Sequence, residues 1–519
     1  MAVIKRRNKL KKTISLFLAL CTCLSLLTGC ASKGEIARED MIKRTDITVG
    51  EEWDAVSLDP HLVNDEISVR TVAHIYESLV KQDKDLNIVP SLAESWENKS
   101  ETEILFKLRQ GVKFHNGEEL KASDVKFSLE RAMSQPMVMG ALWALEGVEI
   151  VDDYTVIVKL KQPYAEMMTA LSGTGASIIS EKAANETGDK FGVNPVGTGA
   201  LKLQKWQQND YIILEGFADY WGGAPLTTTL SIKIIPEGTM RNVSLKAGHV
   251  DFSYMVQPTD VEAVLSNKKL KAESMLMTDV VYVAINNEKA PFDNLKVRQA
   301  LSHAADKESI CTVVLEDHGV PANTMLPADF KDANTEINYY PYDIEKAKAL
   351  LAEAGYPDGF KAKMYVAGDN HNRAATVLQS DFANIGVELE VNLIEKATVL
   401  DQINSGADMA ILSHGTAGNA DSTLYTMFHS SITPSAGNKS RYANAEADAL
   451  LEAARSEADD AKRSELYKEA QKLIMADAPV IPLYTQEKYY GMNDFFEGYV
   501  LYKNGRHDLS NAYVLEEPK

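Results

Sequence analysis

Two side-chain periodicities alternate along this chain, and neither takes over. Thr155-Val156-Ile157-Val158-Lys159-Leu160 and Ser231-Ile232-Lys233-Ile234 put apolar residues at every second position, the pattern of a strand with one buried face. From Ile344 to Ala354 the apolar spacing is three and four, with Asp343 placed to cap the first turn and Gly355 and Pro357 to stop the last. A second helical stretch carries Leu466, Tyr467, Ala470, Leu473 and Ile474 and ends before Pro479 and the apolar Val480-Ile481-Pro482-Leu483-Tyr484. Such interleaving excludes an all-α bundle or a β-sandwich and predicts α/β or mixed lobes. With 519 residues and 45% apolar content the chain has the size of two or three domains.

The first 30 residues constrain location. Lys5, Arg6, Arg7, Lys9, Lys11 and Lys12 form a basic segment without an acid, followed by an apolar run from Ile14 to Leu27. That run is too short for a permanent membrane span and reads as an export signal over residues 1–29. It ends in Leu27-Thr28-Gly29-Cys30, which looks like a bacterial lipobox, so Cys30 is the expected lipidated N-terminus and residues 30–44 the tether. The mature protein is expected outside the cytoplasm, held by lipid at the outer face of the cytoplasmic membrane or in the periplasm. Removing the leader takes away six of 54 basic residues and none of 74 acidic ones, leaving a formal charge of −26 that repels nucleic acid. Cys21 and Cys23 leave with the leader and Cys30 is acylated, so Cys311 remains as a lone thiol and no internal disulfide is expected.

The order of motifs carries more. Leu58-Asp59-Pro60-His61, Tyr76-Glu77-Ser78-Leu79-Val80, Pro90-Ser91-Leu92-Ala93-Glu94-Ser95-Trp96 and the stretch from Phe106 to Gly117 come first. Pro195-Val196-Gly197-Thr198-Gly199, Tyr220-Trp221-Gly222-Gly223, Val297-Arg298-Gln299-Ala300-Leu301 and Ala478-Pro479-Val480-Ile481-Pro482-Leu483-Tyr484 follow. Together they resemble the family 5 extracellular solute-binding proteins of bacterial ABC importers, which take oligopeptides, dipeptides, glutathione or nickel. The resemblance implies a two-lobed periplasmic-binding-protein-like α/β fold of the large peptide-binder kind, closing on its ligand by hinge motion. Lobe I would hold residues 45–283 and 485–519, lobe II 284–484, and residues 81–195 an extra subdomain of lobe I. It also implies a monomer that uses no cofactor, captures a short peptide or similar-sized solute and delivers it to a permease and ATPase complex. The alternatives are a nickel or nickel-metallophore binder of the same family, a glutathione binder and a secreted hydrolase. Against the last, the chain has no G-x-S-x-G elbow, no H-E-x-x-H helix and no companion for Cys311.

Several segments read as structural. Gln110-Gly111 suits a hairpin turn between Phe106/Leu108 and Val112/Phe114, and Ser123 suits a helix cap. Gly197 and Gly199 lack the continuation of a phosphate loop.

The candidate ligand residues are Trp53, His61, Trp143, His414, Thr416, Asn419 and Asp421. Trp53 and His61 flank the Leu58-Asp59-Pro60 loop, an expected cleft wall, and Trp143 offers a ring for stacking. In the family's peptide binders an aspartate of the loop before helix-starting Asp-Pro pairs with the ligand ammonium. Here Asn419 stands at the Asp of Asp-Pro and Thr416 at the ammonium partner, which leaves Asp421 either to take over that role or to cap the next helix. His414 is either a metal ligand or a hydrogen-bonding loop residue. Nickel binders of the family hold a chelator's carboxylates with arginine, and the corresponding loop, Leu171 to Ser177, has none. Arg131 and Arg373 are the other anion anchors considered.

Overall fold

The computed structural model describes residues 38–416, 418–502 and 505–518, so the expected export signal, the expected lipidation site Cys30 and the first part of the expected tether lie outside the described residues. Within the expected tether of residues 30–44, Ile42–Arg44 forms a strand, antiparallel to residues 514–516, with Arg44 Nε donating to Glu516 Oε1 at 2.5 Å. These two terminal pieces make one small unit and residues 45–513 the other. Among the described residues no helix is long and apolar enough to cross a membrane.

The large unit is built on a mixed 12-stranded sheet. Its main path runs Glu388–Leu393, Lys361–Val366, Met409–Gly415, Asp279–Ile285, Val480–Asn493, Phe252–Val256, Asp46–Glu51, Thr229–Ile234, Tyr211–Gly216, Leu201–Gln207. The middle of this order explains the apolar run of residues 280–285. Successive side chains of a strand point to opposite faces. Val281, Val283 and Ile285 therefore enter one core with Ile481 and Leu483, while Val280, Tyr282 and Ala284 enter a second with Val480. Both faces are covered, so the strand has no polar side. The 14-residue strand Val480–Asn493 pairs with Asp279–Ile285 through its first half and with Phe252–Val256 and Leu270–Leu276 through its second. One continuous strand thus serves both ends of the sheet.

A separate antiparallel sheet of four strands, Ala93–Asn98, Glu103–Leu108, Thr155–Leu160 and Leu145–Asp152, lies within residues 81–195. Helix Ala122–Met133 covers one face, burying Val125, Leu129 and Ala132 against Phe106, Val156 and Val158. Two local expectations are corrected here. Gly111 does take φ +75°, but no hairpin forms across it, because both edges of Glu103–Leu108 are occupied by the neighbouring strands. Val112 and Phe114 fold back on residues 118–120 instead, with Phe114 N donating to Glu118 O at 2.8 Å. The helix starts two residues earlier than Ser123 suggests: Lys121 is its N-cap residue, and the Asp124 carboxylate accepts from Lys121 N at 3.0 Å. Asp343 caps its helix as expected, accepting from Lys346 N at 2.9 Å. The Gly197 and Gly199 pair is a packing device. A Cβ on Gly197 would stand 2.1 Å from the Ile75 carbonyl oxygen, and one on Gly199 2.4 Å from that of His74.

Candidate functional site

Helix Ala420–Phe428 begins at Asn419, whose side-chain oxygen accepts from Ser422 N at 2.8 Å. The cap is therefore Asn419, which frees the Asp421 carboxylate to turn sideways. It meets Arg455 of helix Ala445–Ser456, with Nε to Oδ1 at 3.0 Å and Nη2 to Oδ2 at 2.9 Å, and retains only 2% exposure. A bidentate guanidinium–carboxylate pair of this kind fixes orientation as well as charge. The Arg455 guanidinium is also gripped by aromatic rings, 3.3 Å from the Tyr425 centroid and 4.5 Å from that of Trp143. Trp143 stands edge-on to Tyr164, centroids 4.9 Å apart, and the Tyr164 hydroxyl reaches Asp421 Oδ2 at 3.4 Å. Ala165 N donates to Arg455 O at 3.2 Å, and Arg463 Nε pairs with Glu166 Oε1 at 3.0 Å, both side chains buried. Burial pushes the Glu166 carboxyl up and Arg463 opposes it. Residues 143–166 and residues 421–463 are thereby latched across a polar seam.

The other candidates divide. Thr416 is buried, and its N–H and hydroxyl both donate to the Thr278 carbonyl, at 2.9 and 3.3 Å, prolonging the pairing of Met409–Gly415 with Asp279–Ile285. His414 lies opposite Val280 on that strand, and its Nε2 is buried without a hydrogen-bond partner. Burial holds its imidazole below the ordinary range, with Lys439 adding to the effect. His61 does not line a cleft. It is fully buried, its Nε2–H donating to Ser177 O at 3.0 Å and its Nδ1 accepting from Arg131 Nη1 at 2.7 Å, while Arg131 also holds Asp59. The reading of His61 as a ligand residue is corrected accordingly, and Arg131 is a structural partner. Arg373 binds the Val313 carbonyl.

Trp53 is 60% exposed beside a pocket of about 380 Å³ lined by Glu51, Glu66, Arg70, Tyr254 and Lys488. Arg70 Nε lies 3.5 Å from Glu51 and its Nη2 3.3 Å from Glu66, and Lys488 Nζ donates to Glu66 at 2.5 Å. Burial raises the Glu51 carboxyl, with Arg70 opposing, and lowers the Lys488 ammonium. Sequence reading passed over this cluster. Its legible traces are the Glu66/Arg70 spacing of four on one helix and a lysine set in the apolar strand Val480–Asn493. The Leu171–Ser177 loop, which has no arginine of its own, receives one from far along the chain: Arg506 Nη1 donates to Ser172 O at 3.2 Å.

A family model described as bacterial extracellular solute-binding proteins, family 5 Middle, matches residues 87–435. The chain belongs to this family. Among curated members, the glutathione-binding protein GsiB of Pectobacterium atrosepticum is 32% identical over 446 residues, 83% of this chain and 86% of that protein. Among solved family 5 structures, HbpA2 from Haemophilus parasuis superposes with TM-score 0.82 at 28% identity, covering 90% of this chain and 99% of the other. The ABC transporter-associated periplasmic binding protein DppA from Helicobacter pylori, in complex with the peptide STSA, gives TM-score 0.79 at 27% identity, covering 91% and 98%. Family 5 proteins are two-lobed and bind solutes outside the cytoplasm, and the mixed α/β sheet crossed by one continuous strand agrees with that fold.

Proposed function

We propose that this chain captures short peptides, of about two to four residues, for an ABC importer, closing lobe I (45–283 and from 485 onward) on lobe II (284–484). The observation that carries this reading is the seam itself. Trp143, Tyr164 and Glu166 from one side meet Asp421, Arg455 and Arg463 from the other. The glutathione-binding relative and the neighbour bound to the four-residue peptide STSA support a ligand of a few residues. Lobe closure over a solute adds RT ln(1 + [L]/Kd) to stability, about 2.7 kcal/mol at a hundredfold excess over Kd. Thermal shift against dipeptides, tripeptides and glutathione is expected to find a strong stabiliser that is recovered unchanged by mass spectrometry; a cleaved ligand would overturn a binding role without chemistry.

A second reading is favoured by one observation, the buried unpartnered Nε2 of His414. A nickel–histidine chelate in the same assay tests it: stabilisation by the chelate that His414→Ala removes, with peptide binding intact, would assign nickel. Export and anchoring rest on the lipobox. Cys30→Ala is expected to leave the protein unlabelled by palmitate and free of the membrane fraction, and retention of that variant in membranes would contradict a lipid anchor.

A further inference from the structure

Below Ser172 lies a cavity of about 130 Å³ whose lining includes His74, Ser91, Thr174, Arg506 and His507. Four of these five residues carry buried polar atoms with no hydrogen-bond partner within the protein: His74 Nε2, Ser91 Oγ, Thr174 Oγ1 and both ring nitrogens of His507. All four are more than nine-tenths buried, at 6%, 1%, 6% and 4% exposure. Buried polar groups are nearly always satisfied, so a cluster of orphans around one cavity points to a polar occupant.

The chemistry of that occupant follows from the lining. Ser91 and Thr174 have hydroxyl hydrogens to donate, and Arg506, docked on the Ser172 carbonyl at 3.2 Å, brings a guanidinium. His74 Nδ1 lies 3.1 Å from the Arg70 carbonyl, which only accepts, so Nδ1 carries the proton and Nε2 is left as an acceptor. The carboxylates on the same lining already accept from neutral donors. Glu77 takes hydrogen bonds from Thr198, Tyr220 and Trp221 at 2.9, 2.8 and 2.8 Å, and Asp508 Oδ1 from the Ser510 backbone and hydroxyl at 2.9 and 2.6 Å. The site therefore offers several donors around the Arg506 guanidinium, with Lys81 also on the lining, and beside them an acceptor. A sulfate has no hydrogen for that acceptor, whereas a carboxylate with an N–H on the adjacent carbon supplies both the anion and the donor.

We propose that this cavity holds the carboxylate end of a peptide, the carboxylate on Arg506 with Ser91 and Thr174, and the neighbouring N–H toward His74 Nε2. The assignment rests on the peptide reading above and adds to it a demand for a free carboxylate. Calorimetric titration would use tri-L-alanine, its C-terminal amide, glutathione and glutathione diethyl ester with wild type, Arg506→Gln and Thr174→Val. Removing a charge-assisted hydrogen bond from a closed site weakens binding roughly 10- to 150-fold. Amidation or esterification is expected to weaken wild-type binding by that factor. Arg506→Gln should weaken the free acid equally while leaving the masked ligand within about threefold, and Thr174→Val should act in the same sense but less. An Arg506→Gln protein that keeps the preference for the acid, or loses acid and masked ligand alike, overturns the carboxylate site while peptide capture stands. Wild type that binds none of the four probes overturns both.

Discussion

Arg455→Ala is expected to destabilise the protein by about 3 to 5 kcal/mol, the cost of leaving one half of a buried ion pair behind. The carboxylate left is Asp421, 2% exposed, whose compensation comes from two guanidinium contacts near 3.0 Å. No second cation replaces it in that pairing, since the Tyr164 hydroxyl at 3.4 Å is a weak neutral donor. The same deletion removes the cation from between Tyr425 and Trp143 and the filling between those rings. For a cooperative unit of about 150 to 250 residues this amounts to a fall in melting temperature of roughly 6 to 20 °C. Because Trp143, Tyr164 and Ala165 stand across the seam, the variant should also open: small-angle scattering without ligand is expected to show a larger radius of gyration. Arg455→Lys restores the charge but not the planar two-point pairing, and is expected to recover only part of the loss. A melting temperature within 1 or 2 °C of wild type would show that the pair is solvated and contributes little, as exposed pairs do.

Acidification is expected to weaken the fold through its buried histidines. Burial holds the His115 imidazole down to about 4, and its Nε2–H is committed to the Gly199 carbonyl at 2.9 Å. His61 is lowered in the same direction by burial, with Arg131 adding to it. An unfolded imidazole titrates near 6.5, so below that pH the unfolded chain binds protons that the native state refuses. Stability is full above pH 6.5 and is lost as pH falls from there to about 4, up to roughly 3 kcal/mol for His115. Glu51, Glu77 and Asp279 act in the opposite sense: burial raises their carboxyls, so the native state takes up those protons first and gains stability on acidification. The total profile therefore mixes signs, and the clean measurement is a difference. Urea unfolding of wild type and His115→Asn from pH 8 to pH 4 should show the variant less stable at neutral pH, because it lacks the Gly199 hydrogen bond and the edge packing on Phe217, and gaining on wild type steadily below pH 6.5. A pH-independent difference would mean that His115 titrates normally.

Local chemistry was legible in the chain itself. The alternation at residues 155–160, the Asp343 cap and the helix over 466–474 reappear where periodicity and capping put them, because strand faces and helix ends are set within a few residues. The ordered motifs led to the right family for a related reason: they mark tight packing, as where Gly197 and Gly199 let two backbones touch. The same reasoning failed wherever a second segment had to be known. Gly111 has the turn conformation expected of it, yet no hairpin follows, since strands 93–98 and 155–160 had already taken both edges of 103–108. His61 reads as a cleft residue beside Asp-Pro until Arg131 and Ser177 close over it. Asp421 offers two roles in sequence, and the fold assigns a third by bringing Arg455 to it. The loop without an arginine acquires one from 334 positions away. Side-chain period and capping are local properties of the backbone, so the sequence by itself determined the elements and the family they build. Which charges meet, and which of them are buried, is decided by packing between remote segments, and in this protein that was settled only in the tertiary structure.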